Sequence, residues 1–153
     1  MGAASSSRLR AGQKIFMLTP DFTRYSLALV EGGQIIHCAG GGGLRPLWDA
    51  LEKFQGRSGL ILYDKVIGLA AAMLIVRSGI IAEIHTKVAS RPALELLEKN
   101  GIVLHAAGVA ANILTRDQSA VCPGEIIALG SSNTDEFMKS IREFLGFQAK
   151  DAR

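Results

Sequence analysis

The feature that most constrains the fold is residues 66–76, a stretch that is apolar on every side. It is far shorter than the roughly 20 residues that a membrane span requires. A helix without a polar face lies in the middle of a domain. A short apolar run at residues 60–63 precedes it and is typical of a buried strand. Residues 84–88 follow it and indicate another strand, with Glu83, His85 and Lys87 on its alternate face. The stretch therefore predicts a buried helix between two strands of an α/β domain.

Turn and cap residues predict the elements around this unit. Gly32 and Gly33 separate two strand-like runs, 27–31 and 34–37, as in a β-hairpin. Apolar residues at steps of three and four from Leu44 to Phe54 predict a helix that ends near Gly56. Asp64 is a good N-cap for the buried helix, which we expect to continue to Ser78.

The second half of the chain continues the alternation of strands and helices. Ser90 caps a helix with Pro92 in its first turn and Gly101 at its end, and residues 102–105 follow as a strand. After an irregular segment, Asn133 and Glu136 predict the start of a last helix, through Leu145.

This order of elements predicts a three-layer α/β/α sandwich. Strand–helix–strand units give parallel neighbours, so we expect a mixed sheet whose N-terminal hairpin is antiparallel. A length of 153 residues suits one domain, which we place at residues 14–147 between flexible tails at 1–13 and 148–153.

Composition excludes several classes of function. The net charge of +3 comes with no basic block, which argues against nucleic acid. No apolar run is long enough for a membrane role. Cys38 and Cys122 are the two cysteines, neither has a partner at metal-ligand spacing, and no signal peptide is evident, so a cytoplasmic protein with no metal or cofactor is expected. A mean hydropathy of +0.25 is compatible with a homodimer.

The predicted helix starts are the candidate binding site. In parallel α/β sheets, ligands bind at the carboxyl ends of the strands, where free backbone N–H groups attract anions. Asp64 and Lys65 begin one helix there, and Ser90, Arg91 and Pro92 begin the next. A phosphate or carboxylate ligand, and a nucleotide by extension, is the inference. The alternative is that Asp64 and Ser90 are ordinary caps and that Lys65 and Arg91 are solvated surface charges.

Cys122 and the histidines give weaker signals. A thiol at the start of a helical turn has a lowered pKa and can act as a nucleophile, whereas an isolated cysteine is more often a small buried apolar residue. His37, His85 and His105 have no carboxylate partner evident from sequence spacing. We therefore expect each histidine to be structural or exposed.

Three segments resemble a family of unknown function in the cytidine deaminase-like superfamily. They are Asp64 to Ala72, Ser90 to Gly101, and Asn112-Ile113-Leu114 through Cys122-Pro123-Gly124-Glu125. Deaminases carry His-x-Glu or Cys-x-Glu at one helix start and Pro-Cys-x-x-Cys at the next. The corresponding segments here, Asp64-Lys65-Val66 and Ser90-Arg91-Pro92-Ala93, hold neither a zinc ligand nor the glutamate, so zinc-dependent deamination is not expected.

The resemblance implies a single pocket and a set of roles. It would be lined by Asp64, Lys65, Ser90, Pro92, Cys122 and Glu125. We predict a domain that binds a nucleotide or a nucleotide-derived anion, with a possible nucleophile at Cys122 and a base at Asp64 or Glu125. The predicted ligand-binding residues are Lys65, Gly68, Ser90, Arg91 and Pro92. A non-catalytic module that senses a metabolite and a protein that handles sulfur or thiols are the alternatives, and whether the chain is an enzyme stays open.

Overall fold

A computed structural model of the chain describes residues 21–114 and 120–146. The predicted tails at 1–13 and 148–153 lie outside the described residues. The strands are β1 (Leu27–Glu31), β2 (Gln34–Ala39), β3 (Leu60–Ile67), β4 (Ile81–Ser90) and β5 (Val103–Ala110). The helices are α1 (Arg45–Lys53), α2 (Leu69–Ser78), α3 (Arg91–Lys99), α4 (Pro123–Gly130) and α5 (Thr134–Phe144).

The strands form a five-stranded mixed sheet in the order β2-β1-β3-β4-β5. β1 pairs antiparallel with both β2 and β3, whereas β3, β4 and β5 are parallel. Gly32 and Gly33 connect β1 and β2 with φ values of 58° and 82°, a conformation that glycine adopts without steric cost. The α/β class, the N-terminal hairpin and the parallel units are confirmed, and the arrangement is compatible with a three-layer α/β/α sandwich.

The start of α2 differs from the prediction. Asp64 is not an N-cap, because β3 continues to Ile67 and Asp64 pairs there with Leu27 of β1 and Thr86 of β4. Gly68 is the N-cap and α2 begins at Leu69. Sheet pairing on both sides of β3 outweighs the local preference of aspartate for a cap. β4 and β5 are likewise longer than predicted, and α4 is a helix where the sequence predicted an irregular segment.

The core lies between the sheet and the helices. Leu62 of β3, Ile84 of β4, Ile75 of α2 and Phe137 of α5 are fully buried. α2 contacts α1, α3 and α4, as predicted for a helix with no polar face. None of the described helices has the length and hydropathy that a membrane span needs.

Candidate functional site

The carboxyl ends of β3 and β4 bring the starts of α2 and α3 together. Ile67 of β3 is paired with Ala89 of β4 in the parallel ladder. The residues that follow this pair, Gly68 and Ser90, are the N-caps of the next two helices. The two helix starts therefore lie side by side at one edge of the sheet, as the sequence predicts, although the first of them is not at Asp64.

The start of α3 is capped by its own side chain. Ser90 is buried, and its Oγ accepts a hydrogen bond from the backbone N–H of Ala93 at 3.3 Å. Pro92, in the first turn, has no N–H to offer. Arg91 is exposed and forms no ion pair with any residue that the structure describes. What this helix start can offer an anion is therefore chiefly the Arg91 guanidinium.

The start of α2 is occupied by a carboxylate of the chain itself. The backbone N–H of Leu69 donates to Glu125 Oε1, and the N–H of Ile113 donates to Glu125 Oε2 at 3.0 Å. Glu125 is only 2% exposed. A carboxylate at a helix N-terminus is stabilised by the amide groups and by the helix dipole. The prediction that this terminus is open to an external anion is therefore wrong for the Leu69 amide.

Gly68 is required by this contact rather than by backbone strain. A Cβ atom at Gly68 would lie 2.8 Å from Glu125 Oε1 and 3.0 Å from Ile113 Cγ1. Its φ of −93° is accessible to any residue. The absence of a side chain at Gly68 lets the Glu125 carboxylate approach the helix start.

Asp64 and Lys65 point to opposite sides of β3. Successive side chains of a strand alternate between faces, so Asp64 shares its face with the buried Leu60 and Leu62, and exposed Lys65 lies on the other. Burial raises the pKa of Asp64 to about 7, and hydrogen bonds from the N–H groups of Val66 and Lys65 only partly oppose that effect. The structure therefore does not place Lys65 beside Asp64 in one pocket, which differs from the prediction.

Cys122 is the N-cap of α4, close to the start of α2. Its N–H donates to the carbonyl of Ile113 at 2.8 Å, and the residue is partly buried. A Cβ atom at Gly124 would lie 3.9 Å from Cys122 Sγ and 3.7 Å from Ala70 Cβ of α2. The structure thus brings Cys122 near the helix start that Glu125 caps, and its role as a nucleophile stays a prediction.

A second cluster of polar side chains lies on β4 and β5. Nε2 of His85 is 2.9 Å from Glu83 Oε2, and Nε2 of His105 is 3.0 Å from the same oxygen. The expectation that the histidines have no carboxylate partner is therefore wrong for two of the three. The third, His37, lies apart on β2, where its ring meets that of Phe54 edge to face.

The rings of this cluster form a stack across three strands. The Tyr63 and His85 rings are 4.6 Å apart and nearly parallel, and those of His85 and His105 are 4.4 Å apart. Burial lowers the pKa of His85, and the hydrogen bond that the imidazole donates to Glu83 only partly opposes this. Burial, and then the negative charge of Glu83, raises the pKa of Tyr63.

Sequence spacing indicates one pair of this cluster, Glu83 and His85, but not their contact with His105. Glu83 and His85 are two residues apart on a strand, so they share a face. His105 occupies the register position beside His85 on the next parallel strand. Both strands were predicted, but their register was not, and the register is what brings the two histidines together.

Comparison with known proteins identifies the family. A family model described as a domain of unknown function, DUF1893, matches residues 19–145. The chain belongs to the DUF1893 family. A crystal structure of a DUF1893 family protein from Thermotoga maritima is similar, with a TM-score of 0.72 and 26% sequence identity over 80% of this chain and 82% of that one. Comparison with curated proteins finds no match.

DUF1893 membership agrees with the family of unknown function that the motifs indicated. The wider likeness to cytidine deaminases is named by neither match and stays a prediction. The family match covers β3, β4 and the helix starts that follow them, since residues 19–145 include all of these elements.

Proposed function

We propose that this DUF1893 chain binds a small anionic ligand of the nucleotide class at the carboxyl edge of β3 and β4, as a deaminase-like domain that uses no zinc ion at this edge. The observation that carries the proposal is the register that sets Gly68 and Ser90, two adjacent N-caps, at one edge of the sheet. This is the edge at which parallel α/β sheets bind their ligands.

The roles in this proposal differ from those that the sequence alone favoured. Arg91 supplies the positive charge, because Lys65 lies on the opposite face of β3 and Glu125 already fills the start of α2. Ser90 and Pro92 shape the α3 side of the site. Asp64 is the group that takes up or releases a proton, because its burial on the helix-facing side of β3 favours the protonated form.

The test is to titrate the full chain with nucleoside 5′-monophosphates and, separately, with inorganic phosphate, and to measure binding by calorimetry. For a ligand that the wild type binds, Arg91→Ala should weaken the affinity by roughly tenfold, because it removes one charge-assisted hydrogen bond. Lys65→Ala is the matched control, since it removes the same charge from an exposed position and should leave the affinity within about twofold. The proposal is wrong if no ligand binds, or if the two variants weaken binding equally.

The same titration separates catalysis from sensing. A nucleophilic Cys122 near the start of α2 would change a bound ligand chemically, which mass spectrometry of the recovered ligand detects. Cys122→Ala should abolish that change and keep the affinity. A ligand recovered unaltered from the wild type favours the metabolite-sensing alternative over thiol chemistry.

A further inference from the structure

The cluster on β4 and β5 has the composition of a metal site. Glu83, His85 and His105 each offer one ligand atom, and these three atoms all lie within 4.8 Å of one another. Two imidazoles and one carboxylate form a donor set that proteins use for Zn²⁺ and other divalent transition ions. We propose that Glu83, His85 and His105 bind a divalent transition-metal ion, with Zn²⁺ as the first candidate.

The distances fit an ion after a small adjustment. Zn²⁺ lies about 2.0–2.2 Å from imidazole nitrogen and carboxylate oxygen, so ligand atoms at tetrahedral angles are roughly 3.3 Å apart. The two distances from Glu83 Oε2 to the imidazole nitrogens are 2.9 and 3.0 Å. An ion therefore requires these pairs to separate by a few tenths of an ångström. Glu83 and His85 are 34% and 33% exposed, so their side chains have room to do this. An ion also requires the exposed His105 ring to turn out of its stack on His85, because an ion lies near the plane of each imidazole that binds it.

The sheet fixes the backbone positions of the ligands before an ion arrives. His85 and His105 are register partners on two parallel strands, and Glu83 precedes His85 on the same face. Tyr63 stacks on the far side of the His85 ring and fixes its plane. Ligands on rigid strands lose little conformational entropy on binding a metal, which favours affinity.

Exposure leaves the ion open to solvent. The His105 side chain is 52% exposed, so the cluster is reached directly from water. Three protein ligands leave a fourth position for water or for a small anion, as in catalytic rather than structural zinc sites.

This site uses the side of the strands opposite to Asp64, because His85 is the register partner of Tyr63 and side chains alternate along β3. It is therefore independent of the proposed anion site.

Zinc binding by the full chain tests the proposal. The metal-stripped protein, with Cys38 and Cys122 replaced by serine to exclude thiolate ligands, is titrated with Zn²⁺ against a chromophoric chelator. We expect one ion per chain at micromolar concentration or below, and at least tenfold weaker binding in His105→Ala and in Glu83→Gln. His37→Ala is the matched control, because it removes a histidine outside the cluster and should leave the affinity unchanged.

The ring nitrogens provide a readout that needs no substitution. Long-range ¹H–¹⁵N spectra should show Zn²⁺ shifting Nε2 of His85 and His105, while His37 keeps its resonances. Absence of binding by the wild type, equal losses in His37→Ala and His105→Ala, or a shift of His37 alone would each overturn the proposal.

Discussion

Glu125 places a charged group where little water reaches it. Among the residues that the structure describes, no cationic side chain forms an ion pair with it. Its two oxygens accept hydrogen bonds from Leu69 and Ile113, and the positive end of α2 adds to their effect. Because donors replace the lost hydration, the carboxylate is tolerated and the two backbone amides are satisfied.

Removing this carboxylate should destabilise the fold. Glu125→Ala leaves two partly buried N–H groups without their partner, which costs about 2–4 kcal/mol of unfolding free energy. Glu136→Ala is the matched control, because Glu136 also accepts a backbone N–H, that of Ser132, but at an exposed capping box. Urea denaturation should give a loss of about 1 kcal/mol or less for the control. Equal losses would mean that Glu125 is not the main cap of α2.

The raised pKa of Asp64 predicts the direction in which the stability of the fold changes with pH. The folded value of about 7 lies above the ordinary 3.8, so between these values the folded chain holds a proton that the unfolded chain has released. Stability therefore falls as the pH rises from about 4 to 7.

Asp64→Asn removes this dependence because the amide cannot ionise. At pH 8 the free energy of unfolding of the variant should exceed that of the wild type by about 1–2 kcal/mol, as measured by urea denaturation. The difference should vanish towards pH 4.5. Asp49→Asn makes the same chemical change on the exposed surface of α1 and should show no such trend. A difference that grows on acidification would contradict the assignment.

At the scale of single elements, local signals predict local structure. The β1–β2 hairpin depends on two neighbouring glycines, and the start of α3 depends on Ser90 and an amide three residues away. Asn133 likewise caps α5 by accepting the N–H of Glu136, as the sequence predicts. Each of these interactions lies within four residues of the chain, so a window of sequence contains all of it.

Elements that depend on distant partners were predicted less well. Asp64 has the chemistry of a cap, but the ladders to β1 and β4 keep it in β3. The actual start of α2 is satisfied by Glu125, 56 residues further along the chain. The cluster of Glu83 with two histidines similarly depends on a register between β4 and β5. Neither partner could be found without knowing how the strands and helices pack.

At the scale of the whole molecule, β3 and β4 connect both proposed sites. The carboxyl edge of these strands gives rise to the two helix starts, and one face of β4 carries Glu83 and His85. Each of these strands is paired on both sides, β3 with β1 and β4, and β4 with β3 and β5. A rigid centre of this kind fixes the backbone from which both sets of side chains extend.

Amide hydrogen exchange should reveal this rigid centre. Amides in β3 and β4 are hydrogen-bonded on both sides of each strand and lie beside fully buried residues such as Leu62 and Ile84, so they should open only with global unfolding. β2 is an edge among the described strands, and its residues are exposed or only partly buried. Its amides should exchange at least tenfold faster, as measured by mass spectrometry of peptides from each strand. Equal protection of β2 and β3 would contradict this order, because β2 would then need a second partner as firm as the one that β3 has in β4.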